Sequence, residues 1–340
     1  MKLDALLQLL GEEISTPDEE TFDLFSQQLP SQSLGFVDPK STTLELTVAG
    51  RDLTIHQSPG VLSSNRAGGT TGAVVWKITP LLAEWISNSS NILFSHGILS
   101  PRSLVLELGC GISGLVGLLL APRIARYVLT DQPYVARFVE QNIAENYHHS
   151  QTRSQGRQQQ QQQQKRPKGG QNKQKQKQQA AKLTSTPVRE SSGGDGSGGL
   201  IHFTPLDWET DEVTRALTGA AAAAAAAVND TAAAASFDAV VACDCIYNLP
   251  LIEPFVATCA DACRLRDAEA EDGEAENSHN SPPTVCIVAQ QLRDPIVFEA
   301  WLASFVKPFR AWRVPDAMLP DSLRSHSGFV VHVGVLREEA

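Results

Sequence analysis

The residues best placed to do chemistry run from Glu107 to Gly114, in the order Glu-Leu-Gly-Cys-Gly-Ile-Ser-Gly. The apolar run Leu104 to Leu108 that leads into them has the length of a buried parallel strand. Gly109 and Gly111 then allow a tight turn and a close backbone approach to a ligand. Ser113 offers a hydroxyl to cap a helix over Gly114–Ala121. Gly109 to Gly114 follows the G-x-G-x-x-G spacing of dinucleotide sites. Asp131, about twenty residues on at the end of the next apolar run, stands where an acid would meet a ribose. NAD and S-adenosylmethionine both carry an adenosine ribose, so the spacing admits either. Glu107 separates them, because a carboxylate two residues before the glycines repels a pyrophosphate and attracts a sulfonium or amino group.

Two more polar clusters close apolar runs. Asp207-Trp208 ends the run from Leu200, and Asp244-Cys245-Ile246-Tyr247 follows Phe237 to Cys243. In open α/β sheets such strand ends face the ligand crevice. Trp76 and Trp208 offer flat faces for adenine or for a cation. Cys110, Cys243, Cys245, Cys259, Cys263 and Cys286 fit no zinc spacing and no histidines cluster with them, so no metal site is expected. They read as reduced core thiols, which suits the cytosol or nucleus. His56, His202 and His326 read as structural.

Elements must position these residues. Leu3–Leu10 and Phe22–Leu29 read as short helices, and Thr43–Val48 with Leu53–Gln57 as a β-hairpin around Gly50. A helix is expected near Thr79, with Pro80 at its first position. Strands follow at Leu104–Leu108, Arg126–Thr130, Leu200–Trp208, Phe237–Asp244, Thr284–Gln290, Phe309–Val314 and Gly328–Leu336. Helices are expected at Pro133–Tyr147, Leu249–Arg266 and Pro295–Val306. Alternating strands and helices predict a parallel sheet covered on both faces, and the two consecutive final strands predict an antiparallel edge. The expected fold is thus α/β, a Rossmann-like seven-stranded sheet, mostly parallel with an antiparallel last strand, plus an N-terminal hairpin. Residues 1–70 are expected as an N-terminal extension and 71–340 as the main domain.

Three stretches interrupt this order. Residues 150–199 turn abruptly to Gln, Lys, Gly and Ser, 218–235 centre on an alanine tract, and 267–283 are acidic and polar. The first has almost no apolar residues to bury, and all three are expected as disordered surface insertions, with a helix over the alanine tract as the alternative. The formal net charge of -10 argues against an overall grip on nucleic acid, while an acidic protein can recognise a basic protein partner. Met1–Leu10 lacks the basic start and cleavage site of a signal peptide, and no apolar run reaches membrane-spanning length.

Glu107-Leu108-Gly109-Cys110-Gly111, Pro205-Leu206-Asp207-Trp208, Asp244-Cys245-Ile246-Tyr247 and the lead-in Thr71-Gly72-Ala73-Val74-Val75-Trp76 together resemble the motifs of the seven-β-strand S-adenosylmethionine-dependent protein-lysine methyltransferases. The resemblance covers most of 40–147, 200–210, 236–266 and 284–337. It implies S-adenosyl-L-methionine as cofactor and a lysine of a large-subunit ribosomal protein as methyl acceptor. It also implies that Trp76 lines the cofactor pocket, that Glu107, Gly109, Cys110 and Gly111 hold the methionine end and the turn, and that Asp131 binds the ribose hydroxyls. Asp207 and Trp208 would surround adenine, Ala242 would let the cofactor lie against its strand, and Asp244 and Tyr247 would face the incoming lysine. A monomer without membrane or direct nucleic-acid contact is expected, in the cytoplasm or nucleus. A cofactor-binding adaptor without catalysis and a small-molecule methyltransferase are the alternatives. An NAD-linked oxidoreductase is disfavoured by Glu107 and by the terminal strand pair.

Overall fold

The computed structural model describes residues 2–30, 34–66, 69–147, 200–219, 236–271 and 282–338. The expected insertion 150–199 and the alanine tract lie outside these residues. The helices that matter here are α1 (Lys2–Leu10), α2 (Pro17–Phe25), α3 (Ile78–Ile86), α4 (Leu115–Leu120), α5 (136–147), α6 (Ile252–Glu271) and α7 (Pro295–Phe305). The strands are β1 (Thr43–Val48), β2 (Arg51–His56), β3 (Leu104–Leu108), β4 (Arg126–Asp131), β5 (Ile201–Pro205), β6 (Ala239–Cys243), β7 (Val285–Gln291), β8 (Phe309–Arg313) and β9 (Phe329–Leu336).

Strands β3 to β9 form one sheet in the order β5-β4-β3-β6-β7-β9-β8. Pairings from β5 to β7 are parallel, and β9 runs antiparallel to both β7 and β8. The chain lays β4 and β5 on one side of β3, then returns to place β6 on the other. That reversal opens a crevice at the carboxyl ends of β3, β4 and β6, where such sheets bind ligands. The last strand is antiparallel as expected, but it is not at the edge: it inserts between β7 and β8, and β8 forms the rim. Seven of the eight residues of β9 are buried, which a rim strand would not be.

Side chains of β3 alternate between two cores. Val105 packs with Ile78, Leu82 and Ile86 of α3 and with Leu115 and Leu119 of α4. Leu104, Leu106 and Leu108 face Phe255 and Cys259 of α6 and Trp301 and Phe305 of α7. Glu107 shares the parity of Val105, so the period of two directs its carboxyl to the α3/α4 face. All six cysteines are buried and free, as the sequence suggested. No group of His, Cys, Asp and Glu among the described residues could hold a metal, and no helix among them is long and apolar enough to cross a membrane.

Several boundaries differ from the sequence reading. Helix α2 begins at Pro17 rather than Phe22, since proline at the first position and Asp18, Glu19 and Glu20 in the first turn favour a start there. Helix α3 starts at Ile78, which puts Pro80 in its first turn, where the missing N–H would have had no helical partner. Helix α6 continues to Glu271, so 267–271 are not part of an insertion, in keeping with the helix-forming Ala and Glu residues there. The third strand ends at Pro205, three residues before Trp208.

Two asparagines join the hairpin β1–β2 to α5, and Arg51 Nη1 donates to Leu118 C=O at 2.7 Å. Asn142 and Asn146 lie one turn apart on α5. Asn146 accepts from Thr54 N–H at 3.0 Å and donates to Thr54 C=O at 2.9 Å. Asn142 does the same at His56, at 2.8 and 3.0 Å, and also donates to Ile112 C=O at 2.8 Å. Four helical residues rise about 6 Å and two strand residues about 6.8 Å, so the side chains imitate a neighbouring strand. Asn142→Ala leaves one buried and two half-buried backbone groups without these partners. The expected loss is about 2–4 kcal/mol of stability, read as a lower urea midpoint. An unchanged midpoint would show that Asn142 is dispensable, the hairpin being held by Asn146, by Arg51 Nη1 on Leu118 C=O and by its apolar contacts.

Candidate active site

The turn after β3 is pinned from three sides. Cys110 N–H donates to Thr130 C=O at 3.0 Å, Ile112 N–H to Gly72 C=O at 2.9 Å, and Gly111 N–H to Asp131 Oδ2 at 2.8 Å. Gly109 has φ +68°, and a Cβ there would stand 2.7 Å from Cys245 Sγ and 3.1 Å from the Trp208 ring. A Cβ on Gly111 would stand 3.1 Å from Gly72 C=O. These glycines are required by close approach as well as by conformation. Ser113 is not the helix cap. Gly114 takes that position in a left-handed conformation, and the Ser113 hydroxyl accepts from Leu115 N–H at 3.3 Å from one residue earlier.

Around the turn opens a cleft of about 880 Å³, counted out to its mouth. Trp76, Glu107, Gly109, Cys110, Gly111, Asp131, Asp207, Trp208, Asp244 and Tyr247 all line it. Ala242 does not, and this corrects the sequence reading. It pairs with Leu108 in register and packs on the opposite face, leaving its neighbour Cys243 at the cleft wall. The strand alternation that brings Glu107 to the cleft turns Ala242 away.

The electrostatics of the lining are one-sided. Glu107, Asp131, Asp207, Glu209 and Asp244 line the cleft, the Asp244 carboxyl being paired with Arg293, and among the described residues no lysine or arginine lines it. Burial pushes the Glu107 carboxyl up to about 8; the Tyr127 hydroxyl pulls it back, and Asp131 adds to the rise. Its Oε2 has no hydrogen-bond partner among the described residues. Asp131 is raised to about 6, chiefly by burial, although Gly111 and Gln132 N–H groups favour its charged form. The thiols of Cys110, Cys243 and Cys245 are pushed well above their usual range, first by burial and then by neighbouring acids and thiols, so they are inert wall groups rather than nucleophiles.

Trp208 packs on Phe255, 5.1 Å between centroids, and its buried Nε1–H lacks a partner among the described residues. Trp76 does meet a cation, but it is the chain's own: the Arg293 guanidinium lies 4.4 Å from its ring centroid, and Phe36 lies 4.1 Å away. Asp244 has φ +58° and a side chain with 0% exposure, and it is engaged by Gln291 and Arg293. Burial raises its carboxyl, and Arg293 and the Gln291 donors pull it partly back. The Tyr247 hydroxyl sits beside Gly69 and Thr71, and burial raises its pKa.

Several lining or supporting residues escaped the sequence reading. Tyr134 and Thr79 line the cleft, and Gln291 and Arg293 stand behind Asp244. Gln291 carried a readable signal, a polar residue at the carboxyl end of a buried run, which is the feature that singled out Glu107.

Residues 56–174 match a family model described as lysine methyltransferase. The chain is 33% identical over 134 residues to a Schizosaccharomyces pombe protein named diaminohydroxyphosphoribosylamino-pyrimidine deaminase, a stretch that is 39% of this chain and 32% of that protein. It is 29% identical over 266 residues to ribosomal lysine N-methyltransferase 5 of Zygosaccharomyces rouxii, covering 74% of this chain and 69% of the relative. The Saccharomyces cerevisiae protein of the same name is 26% identical over 235 residues, 61% of this chain and 60% of that one. The chain thus spans about a third of the length of the first relative and roughly two thirds of the others. The glycine turn and Asp131 both lie inside the stretch that is similar to the lysine methyltransferase model.

Proposed function

We propose that the protein is an S-adenosylmethionine-dependent protein-lysine N-methyltransferase whose acceptor is a lysine of a large-subunit ribosomal protein. The observation that carries the cofactor is the make-up of the cleft: Glu107, Asp131, Asp207 and Glu209 line it, the fifth acid, Asp244, is paired with Arg293 behind the wall, and among the described residues no lysine or arginine lines it. A dinucleotide's pyrophosphate would meet repulsion there, whereas S-adenosylmethionine, whose ammonium and sulfonium outweigh its carboxylate, meets net attraction. The unpartnered Glu107 Oε2 is an acceptor suited to the ammonium. Asp131, with both oxygens already oriented by Gly111 and Gln132, suits ribose hydroxyls. The names of the two yeast relatives support the ribosomal acceptor.

When bound, S-adenosylmethionine supplies a methyl carbon activated by its sulfonium. The chain's own work is then to position and to exclude water. A lysine side chain, with a reference pKa near 10.4, must arrive or become neutral before it can attack. Tyr247, with its pKa raised rather than lowered, acts as a hydrogen-bonding wall and not as a base. The buried, uncharged groups Cys243, Thr79 and Val75 work against the pull of the acidic lining and toward the neutral amine, and the proton leaves to solvent through the mouth. The cytoplasm, where ribosomal proteins are made, fits this reading.

The test is transfer of labelled methyl from S-adenosylmethionine to purified ribosomal proteins, read by mass spectrometry at residue resolution. Label on a lysine is the expected result. Label confined to RNA or to small molecules would overturn the protein-lysine reading, and cofactor binding without any transfer would favour an adaptor.

A further inference from the structure

Asp244, which the family resemblance turns toward an incoming lysine, and Trp76, whose flat face could meet adenine or a cation, are both engaged by one residue of this chain. Arg293 Nη2 donates to Asp244 Oδ1 at 2.8 Å, and the same guanidinium lies 4.4 Å from the Trp76 ring centroid. Arg293 does not line the cleft; it stands behind the wall that Asp244 and Trp76 form.

The arrangement extends further. Asp244 is one of two described non-glycine residues with positive φ, a conformation with a steric cost that surrounding structure must offset. That turn aims the carboxylate at the end of β7. Oδ2 accepts from Gln291 Nε2 at 2.5 Å, and Oδ1 also accepts from Gln291 N–H at 3.3 Å. Gln291 Oε1 in turn accepts from Gly35 N–H at 2.6 Å. Gly35 begins the segment that carries Phe36, which bridges to Trp76 in antiparallel fashion and contacts its ring. Val37 N–H donates to Val75 C=O at 2.9 Å, and Lys77 N–H to Gly35 C=O at 2.9 Å. One buried carboxylate therefore ties together the end of β7, the N-terminal segment and the tryptophan at the cleft wall.

We propose that Asp244 is a positioning residue rather than the proton acceptor or the lysine's counter-ion: through Arg293 and Gln291 it locks residues 35–37 and Trp76 into place as one wall of the cleft. The proposal rests on the methyltransferase reading given above and deepens it. With its carboxylate committed to Arg293 and Gln291, Asp244 has no exposed surface to offer an acceptor amine. The amine is then oriented from the other side of the mouth, where the Tyr247 hydroxyl faces Thr71 and Gly69. A buried charge pair broken on one side loses more than the pair's net worth, because the remaining charge stays buried. The two partners should therefore behave as a unit.

The experiment compares Asp244→Asn, Arg293→Gln, Arg293→Lys and the Asp244→Asn/Arg293→Gln double variant in the full chain. Four readouts are followed: cofactor Kd by calorimetry, Trp76 emission by difference against Trp76→Phe, KM and kcat for the protein acceptor, and the pH profile of kcat. The expected result is a roughly tenfold weaker cofactor Kd and a higher acceptor KM in each single variant. The larger share of the loss falls on Kd and KM rather than kcat, and the pH profile is unmoved. Trp76 emission changes in both Asp244→Asn and Arg293→Gln, Arg293→Lys recovers part of the loss, and the double variant is no worse than the worse single one. A fall in kcat of about a thousandfold in Asp244→Asn, with Kd and Trp76 emission unchanged and a shifted pH profile, would overturn the proposal in favour of a proton acceptor. Additive losses in the double variant would overturn it as well. Trp76 emission is read on the protein without an acceptor, so the coupling of Asp244 to Trp76 is scored even if ribosomal proteins take no methyl group.

Discussion

Glu107→Gln yields a protein that is more stable at neutral pH and binds its cofactor less tightly. Glu107 is 1% exposed, and its carboxyl is raised from an ordinary value of 4.5 to about 8. Below pH 4.5 the group is protonated in both the folded and the unfolded chain and contributes no difference. Between 4.5 and 8 the unfolded chain gives up the proton while the folded protein keeps it. The folded state then binds more protons than the unfolded one, so stability falls as pH rises through this window and levels off above it. A tenfold change in proton affinity between the two states is worth about 1.4 kcal/mol, so the cost at pH 8 is on the order of a few kcal/mol. The amide keeps the shape and removes the titration. Urea midpoints of the two proteins should coincide near pH 4.5 and separate progressively up to pH 8, with the variant higher. A separation independent of pH would mean that Glu107 is ionised throughout.

The same substitution replaces the charged acceptor for the cofactor's ammonium by a neutral amide oxygen. Charge-assisted hydrogen bonds contribute about 1.5–3 kcal/mol, so a loss of roughly ten- to a hundredfold in affinity is expected. In the wild-type protein at pH 7, binding a cation draws the proton off Glu107. Calorimetric titration in buffers of different ionisation enthalpy should therefore show proton release, and the variant should not.

Gly109→Ala abolishes cofactor binding more completely than any change of a polar group in the cleft. The added Cβ would stand 2.7 Å from Cys245 Sγ and 3.1 Å from the Trp208 ring, on a residue with φ +68°. Left-handed backbone alone costs an alanine about 1–2 kcal/mol. Cys245 cannot withdraw freely, because it is buried and its thiol donates to Leu108 C=O at 3.1 Å. Either the turn or the Trp208 ring must move, and both are cleft wall. A loss of at least about a hundredfold in affinity follows, equivalent to roughly 3 kcal/mol. Adding Cys245→Ala to Gly109→Ala removes the closest contact and should recover part of the affinity. It should not help Gly111→Ala, whose Cβ meets the backbone oxygen of Gly72 at 3.1 Å. Wild-type affinity in Gly109→Ala, in a protein whose thermal transition is intact, would show that the turn does not carry the cofactor.

The sequence by itself determined the strand-and-glycine core of this protein and most of its cleft. Short apolar runs ending in Glu107, Asp131, Asp207 and Asp244 are signals carried by local residues, and the rule that parallel strands present their carboxyl ends to the ligand turns such endings into a site. Ten of the eleven residues expected at the site line one cleft, the acids for that reason and Trp76 through the lead-in motif on which the family resemblance rests. Ala242 was misplaced because the face a residue presents depends on register: β6 pairs Ala242 with Leu108, and so turns it to the opposite core. Only the tertiary structure decided where the last strand goes, since insertion between β7 and β8 is a matter of non-local pairing that two adjacent strand signals do not encode. Only it decided the partners of Asp244 and Trp76 too. Arg293 lies 49 residues from Asp244, and Gln291 lies 256 residues from Gly35. No spacing along the chain announces such contacts, and they convert an apparent substrate-facing acid into the lock of a wall.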